Sequence, residues 1–182
     1  MVYELKNCRT GGAGSYPTSV EITEKGGELT FRFAAEHSAF YCPCPGYNGI
    51  HSRGDACEIL IGSDPARKVY YEIEISSKNE LMIAKMTYCG VDRETEKPIL
   101  QMDLQEKCFV ESAVKPYKDG YIAEVKFRKE DILSGDGEVF FNAYRLETDG
   151  EYKSKHLFAL NPTFGLFHNP EYYLLLKDYV NK

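Results

Sequence analysis

The amino-acid sequence predicts an all-β protein: an antiparallel β-sandwich of two packed sheets with at most one short helical turn. Three observations support this prediction. Apolar residues recur at every second position in many short segments, turn-forming residues cluster between these segments, and helical patterns are nearly absent. Many short strands bury their apolar faces most economically when two sheets stack against each other.

The strand pattern is clearest in the first half of the chain. In residues 29–33, leucine and phenylalanine alternate with polar residues, as a half-buried strand requires. In residues 55–61 the odd positions point to one face and the even positions to the other, so Glu58 lies off the main core face. Residues 69–75 repeat the pattern, with the glutamates Glu72 and Glu74 pointing outward.

Turn residues separate the remaining segments. Gly62-Ser63-Asp64-Pro65 predicts a hairpin, because glycine tolerates positive φ and proline disfavours a helix before it. Only Lys129 to Leu133 resembles a helical turn, and two glycines end it soon afterwards. Further strands are predicted at residues 81–88, 108–114, 121–127, 139–146 and 172–176, with a short one within 157–162.

Composition places the chain among ordinary soluble domains and excludes several functions. With 182 residues and 43% hydrophobic residues, one domain (1–182) can bury a core without disulfides or metal. A net charge of -6 without Lys/Arg clusters argues against nucleic-acid binding and favours a neutral ligand. No apolar segment is long enough to cross a membrane or to form a signal peptide, so we expect a cytoplasmic protein, or a secreted one if an export signal had been removed. The oligomeric state stays open.

The six cysteines are expected to be thiols. Cys57 and Cys89 lie in predicted strands, where a free cysteine is usually a small buried hydrophobe. Cys42-Pro43-Cys44 could offer soft ligands to zinc, but structural zinc sites usually place two residues between their cysteines. The sequence therefore predicts no metal site there.

The most informative part of the chain is its last third. Residues 140–146, 157–162 and 167–171 predict a strand, a short strand and an aromatic-bearing loop. This arrangement brings asparagine, arginine, histidine and several rings together at the edge of a sheet, where loops can shape a pocket. Such a place suits a small polar ligand.

Five short motifs in this order carry a resemblance to a known family: GDACEILI (54–61), YYEIEI (70–75), GYIAEV (120–125), FNAYR (141–145) and HNPE (168–171). The order resembles that of the family 9 carbohydrate-binding modules, and more closely that of the stand-alone family 9-like proteins. The similarity covers roughly residues 28 to 176. It implies a β-sandwich of the kind attached to xylanases, which binds a sugar or glycan end, performs no chemistry and serves polysaccharide utilisation.

The resemblance also implies which residues bind the sugar. Family members grip a terminal sugar between two tryptophan rings, whereas this chain has no tryptophan. The second ring position falls on Phe167; the first falls near Ser52, so Tyr47 or His51 would supply the opposing ring. The polar contacts and further candidates are Glu58 of the Asp-x-x-Glu strand, Glu74, Tyr144, Arg53, Asn142, Arg145 and His168.

Each of these residues also has a structural interpretation. Glu58 and Glu74 could be solvated residues on an exposed sheet face, paired loosely with lysine or arginine. Arg145 points to the face opposite Asn142 and Tyr144, and it could be a tether that holds the closing segment. The alternative function is therefore an interaction domain that kept the sandwich but lost the sugar clamp.

Catalysis and metal binding have weaker support. Glycoside cleavage needs two carboxylates about 5 to 9.5 Å apart, but Asp55 and Glu58 face opposite sides of one strand. We therefore expect no enzyme. Related modules hold structural calcium, yet Asp149-Gly150-Glu151 and Asp119-Gly120 lack the ligand spacing of a dedicated calcium loop. No cofactor is predicted, although structural calcium is an open alternative.

Overall fold

The computed structural model describes residues 1–36, 39–43, 46–50, 54–106, 109–134, 137–150 and 155–180. Within these residues, two antiparallel sheets pack face to face, which confirms the predicted β-sandwich. The strands are β1 (Val2–Glu4), β2 (Lys6–Asn7), β3 (Thr18–Lys25), β4 (Glu28–Glu36), β5 (Ala56–Gly62), β6 (Val69–Ser76), β7 (Leu81–Val91), β8 (Pro98–Leu104), β9 (Glu111–Tyr117), β10 (Gly120–Arg128), β11 (Phe140–Glu147), β12 (His156–Ala159) and β13 (Leu174–Leu175).

The smaller sheet has five strands in the order β1-β3-β4-β10-β9. The larger sheet has the order β2-β12-β11-β5-β6-β7-β8, and β13 pairs with the first residues of β11. The main core lies between the two sheets and includes Phe31, Ile59, Ile73 and Phe141, all fully buried. Each such side chain contributes roughly 1.5–3 kcal/mol when it is removed from water.

Two local predictions are confirmed. The hairpin between β5 and β6 forms, and the Asp64 carboxylate accepts hydrogen bonds from the backbone amides of Lys68 and Val69, at 2.8 and 3.1 Å. The predicted helical turn is α1 (Lys129–Ile132). Among the described residues, no helix has the length and apolar character needed to span a membrane.

Other predictions need correction. The strand predicted at 172–176 is shorter than expected: only Leu174–Leu175 forms β13, and 3-10 turns at Pro170–Tyr172 and Leu176–Asp178 flank it. Pro170 presets the φ of the first turn. Cys89, expected to be buried, is exposed near the end of β7, whereas Cys57 is buried as predicted. Strands β1, β2, β3 and β8 were not predicted.

Candidate functional site

The predicted ligand residues converge on the outer face of the larger sheet. Strand register places Tyr144 of β11 directly opposite Glu58 of β5, and Glu58 directly opposite Glu74 of β6. Because side chains at register partners point to the same face, these three residues form one row across the sheet. Glu72 lies two residues before Glu74 on β6, and therefore also on this face.

The structural interpretation of Glu58 and Glu74 as solvated residues on an exposed sheet face is wrong. Glu58, Glu72 and Glu74 are only 3%, 4% and 2% exposed. The physical reason is a second hydrophobic cluster that covers the outer face. Its buried residues are Cys8, Leu60, Tyr70, Met82, Ala84, Met86, Phe140, Tyr144, Ala159, Phe167 and Tyr173.

Phe167 lies over this row of residues. Its ring stacks on Tyr144, with centroids 4.3 Å apart and an interplanar angle of 25°. The Tyr144 hydroxyl donates a hydrogen bond of 2.9 Å to the carbonyl oxygen of Phe167, which holds the loop down on the sheet. Phe167 is 8% exposed and Tyr144 is fully buried. The two rings thus pack on each other in the structure.

Asn142 positions the same loop. Its side-chain amide donates hydrogen bonds to the Tyr144 hydroxyl and to the carbonyl oxygen of Asn161, at 2.9 and 2.8 Å. Its carbonyl oxygen accepts from the backbone amides of Ala143 and Asn161. Because these contacts occupy the donors and acceptors of Asn142, its part is to hold the loop and the Tyr144 hydroxyl in place.

His168 joins the cluster at its rim. Its Nε2 lies 3.4 Å from Glu72 Oε1, and its Nδ1 lies 3.0 Å from the hydroxyl of Tyr70. The imidazole therefore connects a buried carboxylate to a buried phenol. Glu72 and Tyr70 were not among the predicted site residues, although the alternation along residues 69–75 places both on the face of Glu74.

Two predicted ligand residues lie elsewhere. Arg145 is fully buried between the sheets, on the opposite face from Glu58, where its guanidinium donates to Glu147, Thr18 and the backbone of Glu36. This position agrees with the interpretation of Arg145 as a structural tether. Tyr47 packs against the core between the sheets, and its hydroxyl donates to the carbonyl oxygen of Gln105 at 2.8 Å.

Some of the remaining predicted site residues lie outside the part of the chain that the structure describes. Arg53, His51 and Cys44 belong to this group, so only part of the suggested sugar clamp and of the Cys-Pro-Cys motif can be located. Cys42 is buried. Asp149, one of the loop acids considered for calcium, instead contacts the Tyr16 hydroxyl and His156 Nε2.

The electrostatics of the site centre on Glu58. Burial raises its pKa well above the ordinary 4.5, and the nearby carboxylates of Glu74 and Glu72 and the thiol of Cys8 raise the pKa further. Lys155 acts in the opposite direction. Removing a carboxylate from water and placing like charges beside it both disfavour its ionised form.

Glu58→Gln is expected to flatten the dependence of stability on pH. An acid whose pKa is raised in the folded state binds more protons there, so stability falls as pH rises from about 4.5 through the folded pKa. The variant loses this penalty and should exceed the wild type at neutral pH, by about 1.4 kcal/mol for each unit by which folding displaces the pKa. Urea denaturation over a pH series, with a chelator present, measures the difference.

Glu28→Gln, the same replacement at an exposed position of β4, is the matched control and should keep the wild-type pH profile. Parallel profiles for the wild type and Glu58→Gln would contradict this account of the buried carboxylate.

Comparison with known proteins supports the fold. No protein-family model and no curated protein matches the sequence. The structure is similar to that of a candidate carbohydrate-binding protein from Bacteroides uniformis ATCC 8492, with a TM-score of 0.70 and 14% identity over 95% of this chain and 84% of that chain.

The structure is also similar to a carbohydrate-binding module of family 9 from Caldicellulosiruptor kristjanssonii. The complex of that module with glucose gives a TM-score of 0.57 and 11% identity, over 94% of this chain and 82% of that chain. Its complex with cellotriose gives a TM-score of 0.54 and 12% identity, over 95% and 79% of the two chains. These likenesses confirm the resemblance in fold to family 9 modules.

Proposed function

We propose that this protein is a non-catalytic carbohydrate-binding domain, which holds a sugar or a glycan end on the outer face of its larger sheet. The observation that carries the proposal is the juxtaposition of three glutamates, Glu58, Glu72 and Glu74, with His168 and the ring of Phe167. A sheet face covered by hydrophobic residues has no structural need for three carboxylates, since each is costly to bury.

The chemistry of the cluster suits a neutral polyol. Carboxylates accept hydrogen bonds from hydroxyl groups, and such charge-assisted bonds are roughly twice as strong as neutral ones. An aromatic ring can cover the apolar C-H face of a pyranose. Three clustered carboxyl groups offer no positive charge to an anionic ligand, which agrees with the net charge of -6 of the whole chain. A terminal sugar meets these requirements.

Access to the cluster sets a condition on binding. Phe167 and His168 lie over the glutamates, and Phe167 stacks on Tyr144, so a sugar reaches the carboxylates only after this loop is displaced. Association should therefore be slower than for a preformed open site. Tyr144 and Asn142 hold the loop in the closed arrangement and act as positioning residues.

The similar structures support the ligand class. The family 9 module of Caldicellulosiruptor kristjanssonii was solved with glucose and with cellotriose. We extend this ligand class to the present chain and propose that it accompanies glycan-degrading enzymes such as xylanases in polysaccharide utilisation. Glycan-degrading enzymes or transporters among the neighbouring genes would support that role.

Glu74→Gln is expected to weaken sugar binding at least tenfold. A hydrogen bond to a charged group contributes about 1.5–3 kcal/mol, and 1.4 kcal/mol corresponds to a factor of ten in affinity. Calorimetric titration with glucose, xylose, cellotriose and xylotriose measures the affinity. Phe167→Ala should weaken the same ligand by removing the ring, whereas Glu28→Gln should bind like the wild type.

The second candidate function is an interaction domain that has lost the sugar clamp, and the close packing of Phe167 on Tyr144 favours it. Failure of the intact protein to bind any sugar of a wider panel would select this candidate. Turnover of an activated glycoside that Glu58→Gln abolishes would instead contradict the non-catalytic part of the proposal.

A further inference from the structure

Strand β8, at the end of the larger sheet, has one edge that no other strand pairs with among the described residues. Its other edge pairs with β7, and three of its apolar side chains, Ile99, Met102 and Leu104, are 46%, 42% and 48% exposed. We propose that β8 pairs with β8 of a second copy of this chain, in antiparallel orientation, so that a homodimer shares one continuous sheet. The proposal goes beyond sugar binding and does not depend on it.

The backbone of β8 presents unpaired hydrogen-bonding groups to such a partner. The amide of Gln105, just after the strand, donates to the carbonyl oxygen of Ile83 on β7 at 2.8 Å. Hydrogen-bonded pairs alternate along an antiparallel ladder, so the odd-numbered residues of β8 direct their backbone groups toward β7. The even-numbered residues Leu100, Met102 and Leu104 therefore direct theirs toward the open edge. A strand added at this edge would pair with all three.

The even-numbered side chains of β8 extend the apolar cover of the outer face. Leu100 packs against the second hydrophobic cluster. Met102 and Leu104 lie opposite Met86 and Ala84, two buried members of that cluster. Exposure nevertheless rises from 2% at Met86 to 42% at Met102, because β8 is the last strand of this part of the sheet. An exposed apolar strand at an open edge is a template for pairing with another chain.

The other sheet ends lack these properties. Strands β1 and β2 have only three and two residues. Strand β9 has seven residues, as β8 has, but it carries Lys115 and Pro116. Short strands, lysine and proline are the devices by which proteins prevent edge pairing. The only proline of β8 is Pro98, at its first position, and its only charged residue is Asp103. Most of this strand is therefore open to pairing.

The sequence of β8 is complementary to itself in one antiparallel register. When the pairing is centred on Gln101, each residue of the strand lies opposite another residue of the same strand in the second copy. Leu100 then faces Met102 of the second copy, and Pro98 faces Leu104, so apolar side chains meet on the outer face. Pro98 has no amide hydrogen, but its carbonyl oxygen still accepts from the Leu104 amide.

The opposite face of β8 is complementary in charge. In this register Lys97, just before the strand, lies diagonal to Asp103 of the second copy, within reach of a long side chain. Within one copy, Lys85 of β7 lies directly opposite Asp103. Each Asp103 thus has one lysine from each copy beside it, and no like charges lie opposite each other along the strand. This match of the strand with its own sequence argues for a second copy as the partner.

Sedimentation velocity of the intact protein over a concentration series, without any sugar, tests the proposal. Two paired seven-residue strands form a small interface, so we expect a reversible dimer with a dissociation constant on the order of 10–100 µM. Met102→Lys should weaken the dimer about tenfold or more, because it places a hydrated ammonium opposite Leu100 of the second copy. Val2→Lys, at a 62% exposed position of the short edge strand β1, is the matched control and should dimerise like the wild type.

Two further variants test the backbone pairing and its register. Met102→Pro removes an amide that points to the open edge and no hydrogen bond to β7, so it should unfold cooperatively like the wild type but lose the dimer. Gln101→Cys should form an intermolecular disulfide under mild oxidation, because the two copies of this residue face each other at the two-fold axis. Cys89→Ser in the same chain removes the exposed natural thiol. Glu111→Cys, on the exposed edge strand β9, is the control for random collision.

Three results would overturn the proposal. The first is a wild-type protein that stays monomeric at concentrations about ten times the expected constant, which would leave the edge of β8 to a different partner or to water. The second is a dimer that both Met102 variants retain, since the interface then lies elsewhere. The third is disulfide formation by Gln101→Cys no faster than by Glu111→Cys. Sugar titrations are separate experiments, so the dimer and the proposed function can fail independently.

Discussion

Replacement of Arg145 with alanine is expected to lower the free energy of unfolding by about 3–5 kcal/mol at neutral pH, because it leaves a buried charge without its partner. Arg145 is fully buried, and its Nη2 lies 2.6 Å from Oε2 of Glu147, which is also fully buried. Its Nη1 donates to Thr18 Oγ1 and to the carbonyl oxygen of Glu36, both at 2.7 Å. One side chain thus connects β11 of the larger sheet to β3 and β4 of the smaller one.

The loss should depend on pH. Burial, followed by the nearby charge of Asp55, already raises the pKa of Glu147, and Arg145 acts against this rise. Without the guanidinium the pKa of Glu147 rises further. An acid with a raised folded pKa costs least at low pH, where it is protonated in both states. Denaturation of the variant should therefore show a smaller loss near the ordinary pKa of glutamate than at neutral pH.

Two further variants make this experiment decisive. Lys126→Ala removes one partner of the partly exposed pair with Glu124 and should change stability far less than Arg145→Ala does. Arg145→Met combined with Glu147→Leu removes both buried charges and should recover much of the loss. Equal losses for Arg145→Ala and Lys126→Ala would show that the buried pair contributes no more than a surface pair.

The position of Arg145 illustrates what the sequence can predict. Alternation along 139–146 places Asn142 and Tyr144 on one face and Arg145 on the other, and the structure has this arrangement. A strand repeats every two residues, so the face of each side chain follows from its position alone. The same argument correctly separated Glu58 from the main core. For both residues, the face could be predicted without knowing which residues surround them in space.

The sequence does not predict which loop residues cover the outer face of the larger sheet. One interpretation of the sequence left the outer face of β5 and β6 exposed to solvent, yet Phe167 and Tyr173 fold back over it. They belong to a segment of loops and 3-10 turns, whose path has no periodic signal in the sequence. The burial of Glu58 and Glu74 follows from that path. For the same reason the sequence did not place Tyr47, a loop residue, against the core between the sheets.

The register between neighbouring strands could not be predicted from the sequence either. The pairing of Glu58 with Glu74 brings like charges directly opposite each other, which is unfavourable on its own. Nothing in the local sequence predicts such a pair, so Glu72 and the three-carboxylate cluster were missed. By contrast, β3 carried a usable signal: Val20 and Ile22 alternate with polar residues and are fully buried. That strand could have been predicted from its period of two.

Asp55→Ala is expected to lower the free energy of unfolding by about 3 kcal/mol or more, since hydrogen bonds to charged groups contribute about 1.5–3 kcal/mol each. Asp55 is fully buried at the start of β5. Its Oδ1 accepts from the backbone amide and the hydroxyl of Thr148, at 3.1 and 2.6 Å, and its Oδ2 accepts from the amide of Tyr41 at 2.8 Å. The variant leaves these buried donors unsatisfied.

The neighbouring Gly54 shows how closely this junction is packed, since a Cβ there would lie 2.7 Å from the carbonyl oxygen of Tyr41. Asp92→Ala is the matched control, because Asp92 also accepts three hydrogen bonds, but in an exposed turn. Water can replace Asp92 at those donors, so urea denaturation should show a much smaller loss than for Asp55→Ala. Similar losses would mean that burial adds nothing to the Asp55 contacts, and that the motif aspartate does not hold the loops at the base of the Glu58 strand.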